Sequence, residues 1–201
     1  MFPKNSAEYK FLKKLNTPEK VQTFLEKLPF NHEKGGETCM SPKRVLQTRT
    51  AHCLEGALLA CAAFMLAGRK PYIVNLKVHD SDIDHAIVLF TENGRYGAIS
   101  KTNHAVLRFR DPVYRSLREL VMSYFHEYFL YGNGKKTLIG YSKPLNVRRF
   151  GTKWITAEED LWDMGGAIFD APITRIAPPR TRLRRAQPFE RNLLKKQEWP
   201  E

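Results

Sequence analysis

The chain has 201 residues, with 33 Lys and Arg against 21 Asp and Glu, a formal net charge of +12. That length and an apolar share of 42% supply a sizeable core, which excludes a disordered or fibrous class and fits one domain with appendages. The longest apolar run, Gly56–Ala67, is too short to span a bilayer, so no membrane partner is expected.

In chain order, Ser6 can cap a helix over Ala7–Leu15, and Thr17-Pro18 opens another over Glu19–Leu28. Val21, Phe24, Leu25 and Leu28 share one face of the second helix. A loop over Asn31–Arg49, with Gly35-Gly36 and Ser41-Pro42, is long enough to suggest function. Thr50 then reads as the cap of a helix over Ala51–Ala67, closed by Gly68 and apolar nearly all round, which predicts burial on several sides. On that reading Cys53 is the third helical residue, where free backbone N–H groups and the helix dipole favour thiolate over thiol.

A β-region follows. Tyr72–His79 alternates as a strand, and His85–Thr91 and Arg95–Ser100 flank the hairpin signal Asn93-Gly94. His104–Phe109 reads as a further strand. Asp111-Pro112 opens a long helix over Val113–Tyr131, whose stripe of Tyr114, Leu117, Val121, Tyr124, Phe125 and Tyr128 predicts core packing. Thr137–Tyr141 reads as a strand, and Thr156-Ala-Glu-Glu159 as a capping box ahead of Leu161-Trp162. Residues 1–176 form the expected domain: N-terminal helices at 6–28, a core at 45–131 and an extension at 132–176. Residues 177–201 form a basic Pro/Arg-rich tail expected to be extended. Residues 175–201 hold eight Arg and Lys against three Glu, which allows an anionic partner, acidic protein or nucleic acid, although no nucleic-acid recognition motif is present.

Cysteine usage points to a reducing cytosol. Cys39, Cys53 and Cys61 have no paired spacing, and Cys53 and Cys61 lie two turns apart on one helix. Buried Cys is common, so Cys61, and alternatively Cys53, reads as a small hydrophobe. A Cys on a helix start and His85 on a nearby strand are also the parts of a nucleophilic site, which sets Cys53 apart. His52, next to Cys53, is expected to point elsewhere around the helix.

The order of helix with Cys53 in TAHCLEGALLACAAFMLAG, strand with His85 in DIDHAIVLF, and return strand GRYGAIS resembles the transglutaminase-like branch of the papain-like cysteine enzymes. The resemblance covers roughly residues 45–103. It implies an α+β fold with the Cys-bearing helix packed on an antiparallel sheet. It also implies acyl transfer at the carbonyl of a protein or peptide amide, by hydrolysis or cross-linking, with no metal or cofactor. Cys53 is then the nucleophile and His85 the base. The family places an Asp fifteen to seventeen positions after the His, where this chain has Ser100-Lys101-Thr102. Ser100 or Asn103 is left to orient the imidazole, with Asp82 and Asp84 as further candidates. Gln47, six residues before Cys53, matches the spacing of an oxyanion-stabilising glutamine, to act with the Cys53 N–H. The missing Asp leaves open a second reading, an inactive binding module on the same scaffold for an anionic partner.

Overall fold

The computed structural model describes residues 1–104, 106–178 and 181–195. Two N-terminal helices, α1 (Ala7–Lys14) and α2 (Pro18–Glu26), are capped by the Ser6 and Thr17 hydroxyls, which accept from Tyr9 and Lys20 N–H. Within the expected loop, Ser41-Pro42 starts a short helix, α3 (Pro42–Thr48); Ser41 caps it and Pro42 supplies its first φ angle, a signal the loop reading missed.

The central helix, α4 (Cys53–Leu66), is buried almost throughout. Its cap is His52 rather than Thr50. The His52 side chain accepts from the first turn while Glu55 reaches back to the His52 N–H, a capping box, so Cys53 becomes the first helical residue. Leu58, Leu59 and Phe64 are fully buried, each worth about 1.5–3 kcal/mol of burial.

The sheet is seven-stranded and antiparallel: β1 (Tyr72–Val78), β2 (His85–Glu92), β3 (Arg95–Ser100), β4 (Arg110–Tyr114), β5 (Leu138–Ser142), β6 (Leu145–Asn146) and β7 (Ile173–Arg175). The order is β4-β3-β2-β1-β5-β7, with β6 pairing β1. Asn93 (φ 48°) and Gly94 (φ 72°) turn the β2–β3 hairpin in the left-handed region, which fixes Ile87 opposite Ser100. Both sheet faces are covered. Ile73, Ala86, Val88, Phe90 and Ile99 pack toward α4 and the N-terminal helices. Val74, Leu76, Ile87, Leu89 and Ala98 pack toward α5 (Leu117–Phe125). Strands buried on both faces read as continuous apolar runs, as DHAIVLF does.

The long helix expected over Val113–Tyr131 is instead β4 followed by α5. Pro112 sits in an edge strand, where its missing N–H costs no ladder bond, and Ser116 caps α5 through Glu119 N–H. Tyr124 and Phe125 of the expected stripe still pack in the core. The described residues of 104–109 form turns rather than a strand, with Ala105 outside the described residues. Thr156 belongs to a 3-10 turn over Lys153–Thr156, and the following helix, α6 (Trp162–Phe169), starts without a side-chain cap.

The tail is not wholly extended. Pro188–Lys195 forms a helix, α7, and Arg191 Nη1 donates to the carbonyls of Tyr131 and Gly132 at 2.9 and 2.7 Å. The expected tail at 179–180 and 196–201 lies outside the described residues. No helix among the described residues is long and apolar enough to cross a membrane.

Candidate active site

The first turn of α4 and the start of β2 meet at the floor of a cavity of about 450 Å3, lined by Cys53 and His85. Its walls come from residues 30–33, the 82–84 loop, residues 102–104 and 106–107, and the 127–131 segment after α5. Cys53 is half-buried at this opening, whereas Cys39 and Cys61 are sealed in the core.

Burial acts to raise the Cys53 pKa. Hydrogen bonds with the His52 and His85 imidazoles, and the charge of those rings, outweigh burial and carry it from 9.0 down to about 5. The core thiols show the contrast. Burial pushes Cys61 far up, and burial with the nearby Glu55 carboxylate pushes Cys39 up to about 12. As the first helical residue, Cys53 has no intrahelical partner for its N–H, and that N–H donates to no backbone carbonyl among the described residues.

His85 Nε2 lies 2.6 Å from Ser100 Oγ, in a buried contact. The Ser100 hydroxyl spends its one proton on the Leu107 carbonyl. Toward the ring it is therefore an acceptor, so Nε2 carries hydrogen and Nδ1 is the nitrogen left for the thiol. Ser100 is itself clamped. The Gln22 side chain of α2 receives Ser100 N–H at 3.0 Å and donates to the Ser100 carbonyl at 2.9 Å. One residue on, Lys101 is buried with its ammonium on the Leu28 carbonyl, and burial lowers its pKa to about 8.

His52 is closer to the chemistry than the sequence reading placed it. Its Nε2 donates to the Thr38 carbonyl at 2.9 Å, and its Nδ1 receives Leu54 N–H at 3.2 Å. Burial opposes charge on this ring; contacts with Cys53 and Glu55 outweigh it and raise its pKa to about 9. Protonation turns Nδ1 from a cap acceptor into a donor for the adjacent sulfur. Glu55, fully buried, ties the same corner together. It accepts from His52 N–H at 3.0 Å, Met40 N–H at 3.0 Å, Thr38 Oγ1 at 2.8 Å and Asn31 Nδ2 at 3.1 Å. The His52-x-x-Glu55 spacing carried this signal, but histidine is an uncommon cap residue.

The other expected groups fall differently. Asn103 lines the cavity, while Ser100 is the residue that bonds His85. Gln47 is exposed on α3 and does not line the cavity; the helix in place of the expected loop turns it to solvent. Asp84 is occupied by Lys77 Nζ, Asn75 Nδ2 and Val78 N–H, each at 2.9 Å. Asp82 accepts from Thr137 and from Ile83 N–H. Neither aspartate orients the imidazole, yet both line the cavity, with Glu33 and Glu127. Among the described lining residues there is no Lys or Arg, so the basic character of the chain does not extend into this cavity.

No protein-family model matches the chain, and no curated protein matches it at a significant level.

Proposed function

We propose that this chain is a cysteine-dependent acyl-transfer enzyme with a papain-like, transglutaminase-like core. The order of Cys-bearing helix, His-bearing strand and return strand within an antiparallel sheet supports that core. One observation carries the chemistry: a thiol with a pKa of about 5 shares an open cavity with an imidazole whose far nitrogen is fixed by Ser100.

The Cys53 thiolate attacks the carbonyl carbon of an amide, and the carbonyl π pair moves to oxygen. The Cys53 N–H at the helix start receives that oxyanion; a donor of this kind is typically worth about 3 kcal/mol to the transition state. His85, charged at Nδ1 and Nε2, gives its Nδ1 proton to the departing amine as the C–N bond breaks, leaving a thioester. Water or an amine then attacks, His85 takes the proton of the incoming group, and thiolate leaves. Ser100 serves as acceptor for Nε2–H throughout. A serine supplies orientation without the full negative charge of a carboxylate, so the imidazolium is stabilised less than in an Asp-based triad.

Iodoacetamide labelling followed by mass spectrometry tests this reading. Cys53 alone is expected to label in the native protein, with half-maximal rate near pH 5, and His85→Ala slows it. A Cys53 profile centred at the ordinary thiol value of about 8.5 would overturn the nucleophile and favour a binding module.

A further inference from the structure

We infer that the cavity over Cys53 selects a substrate carrying a cationic side chain, lysine or arginine, beside the reacting carbonyl. This rests on the acyl-transfer reading and names the substrate class of the same site. The chain as a whole carries +12, so an unselected surface would present more cations than anions. Around this cavity the described lining reverses that balance: Glu33, Asp82, Asp84 and Glu127 contribute carboxylates with no Lys or Arg among them.

The nearby cations offset only part of these charges. Lys77 compensates Asp84 at 2.9 Å. Lys136 lies toward Glu127, but its ammonium donates to the His126 carbonyl at 2.8 Å and sits over the Phe125 and Phe129 rings. Glu33 Oε1 is 3.8 Å from His52 and accepts from Thr38 N–H at 2.7 Å. Asp82 accepts from neutral donors, Ile83 N–H and Thr137 Oγ1, among the described residues. Glu127 accepts no hydrogen bond among the described residues. The thiolate is met by the His52 cation beside it as well as by His85, so the nucleophile adds no negative charge to this count, which rests on Asp82 and Glu127.

Size and wall chemistry agree with one long cationic side chain. A volume of about 450 Å3 lies within the usual range of small-ligand pockets, about 300–1,000 Å3. Phe30, Tyr128 and Phe129 supply aromatic walls that pack an alkyl stem. An acidic peptide, by contrast, would lose hydration against fixed carboxylates with no counter-charge.

Three methanethiosulfonates test this on the full chain: cationic aminoethyl, neutral hydroxyethyl and anionic sulfonatoethyl. Each reports its rate at Cys53 by mass spectrometry at pH 7, relative to the same reagent with N-acetylcysteine amide. The cation-to-anion ratio is expected to exceed that of the free thiol by about tenfold or more. Glu127→Gln and Asp82→Asn should each reduce the ratio by about two- to threefold, normalised to the neutral reagent on the same variant. Protection of Cys53 by N-acetyl-lysine amide, and not by N-acetyl-glutamate amide, is the matching result with substrate-like probes. A ratio no greater than that of the free thiol, a ratio unmoved by both variants, or stronger protection by the glutamate compound overturns the inference. The pH profile of the neutral reagent reads Cys53 activation separately, so loss of charge selectivity with an intact profile leaves the nucleophile standing.

Discussion

Removing the Ser100 hydroxyl isolates the group that stands where the resembled family has a carboxylate. Ser100 is 2% exposed, so Ser100→Ala admits no water to replace the lost oxygen. Two partners are stranded: the His85 Nε2–H, now 2.6 Å from Oγ, and the Leu107 carbonyl. Each buried orphan costs about 1–3 kcal/mol, so a stability loss of about 2–6 kcal/mol is expected in urea unfolding. The larger interest is the thiolate. Ser100 accepts from Nε2–H in both the neutral and the charged ring, so only the excess for the charged donor, about 1–1.5 kcal/mol, moves the titration, at 1.36 kcal/mol per tenfold. The half-maximal pH for iodoacetamide labelling of Cys53 should therefore rise by about one from the value near 5 in the parent chain. Labelling rates across pH 4–9, read at Cys53 by mass spectrometry with near-ultraviolet circular dichroism to show folding, make the measurement. A folded Ser100→Ala variant with an unmoved profile would refute the reasoning, because His85 would then hold the sulfur without Ser100. The same geometry accounts for serine here: an ionised aspartate would set a carboxylate oxygen against the Leu107 carbonyl, acceptor facing acceptor.

The corner under the site should be equally sensitive. Glu55→Ala leaves donors from His52, Met40, Thr38 and Asn31 without an acceptor, and should cost about 3–5 kcal/mol in chemical denaturation, with Glu55→Gln costing less. Gly56→Ala would place a methyl carbon 2.4 Å from Lys101 Cβ, an atom close to the backbone of the residue after Ser100. That overpacking should cost about 1–3 kcal/mol and slow Cys53 labelling at pH 6; an unchanged Tm would show that α4 and β3 are free to separate.

Much of the fold was legible because its signals are local. Asn93-Gly94 sets a two-residue turn whatever lies around it, and that turn alone put Ile87 opposite Ser100. Ser6, Thr17 and Gly68 mark helix ends by their own chemistry, and a fourteen-residue apolar helix must be buried wherever it packs. Where two local signals competed, the sequence did not decide. Thr50 and His52 are both possible caps, and Glu55 reaching back to His52 selected one, which moved Cys53 to the helix start. Asp111-Pro112 suits a helix start or an edge strand, and pairing with β3 selected the strand.

The chain by itself determined which atoms are available for chemistry: a cysteine at a helix start, a histidine on a buried strand, and no carboxylate at the return-strand position. Only the tertiary structure decided which of them meet. Ser100 rather than Asn103 bonds the imidazole because α2, seventy-eight residues away, clamps its backbone through Gln22. Gln47 turns to solvent because α3 replaces a loop. The carboxylate-lined cavity is assembled from five separate segments of a strongly basic chain, and its charge is a sum over distances between side chains, a quantity that residue order does not contain.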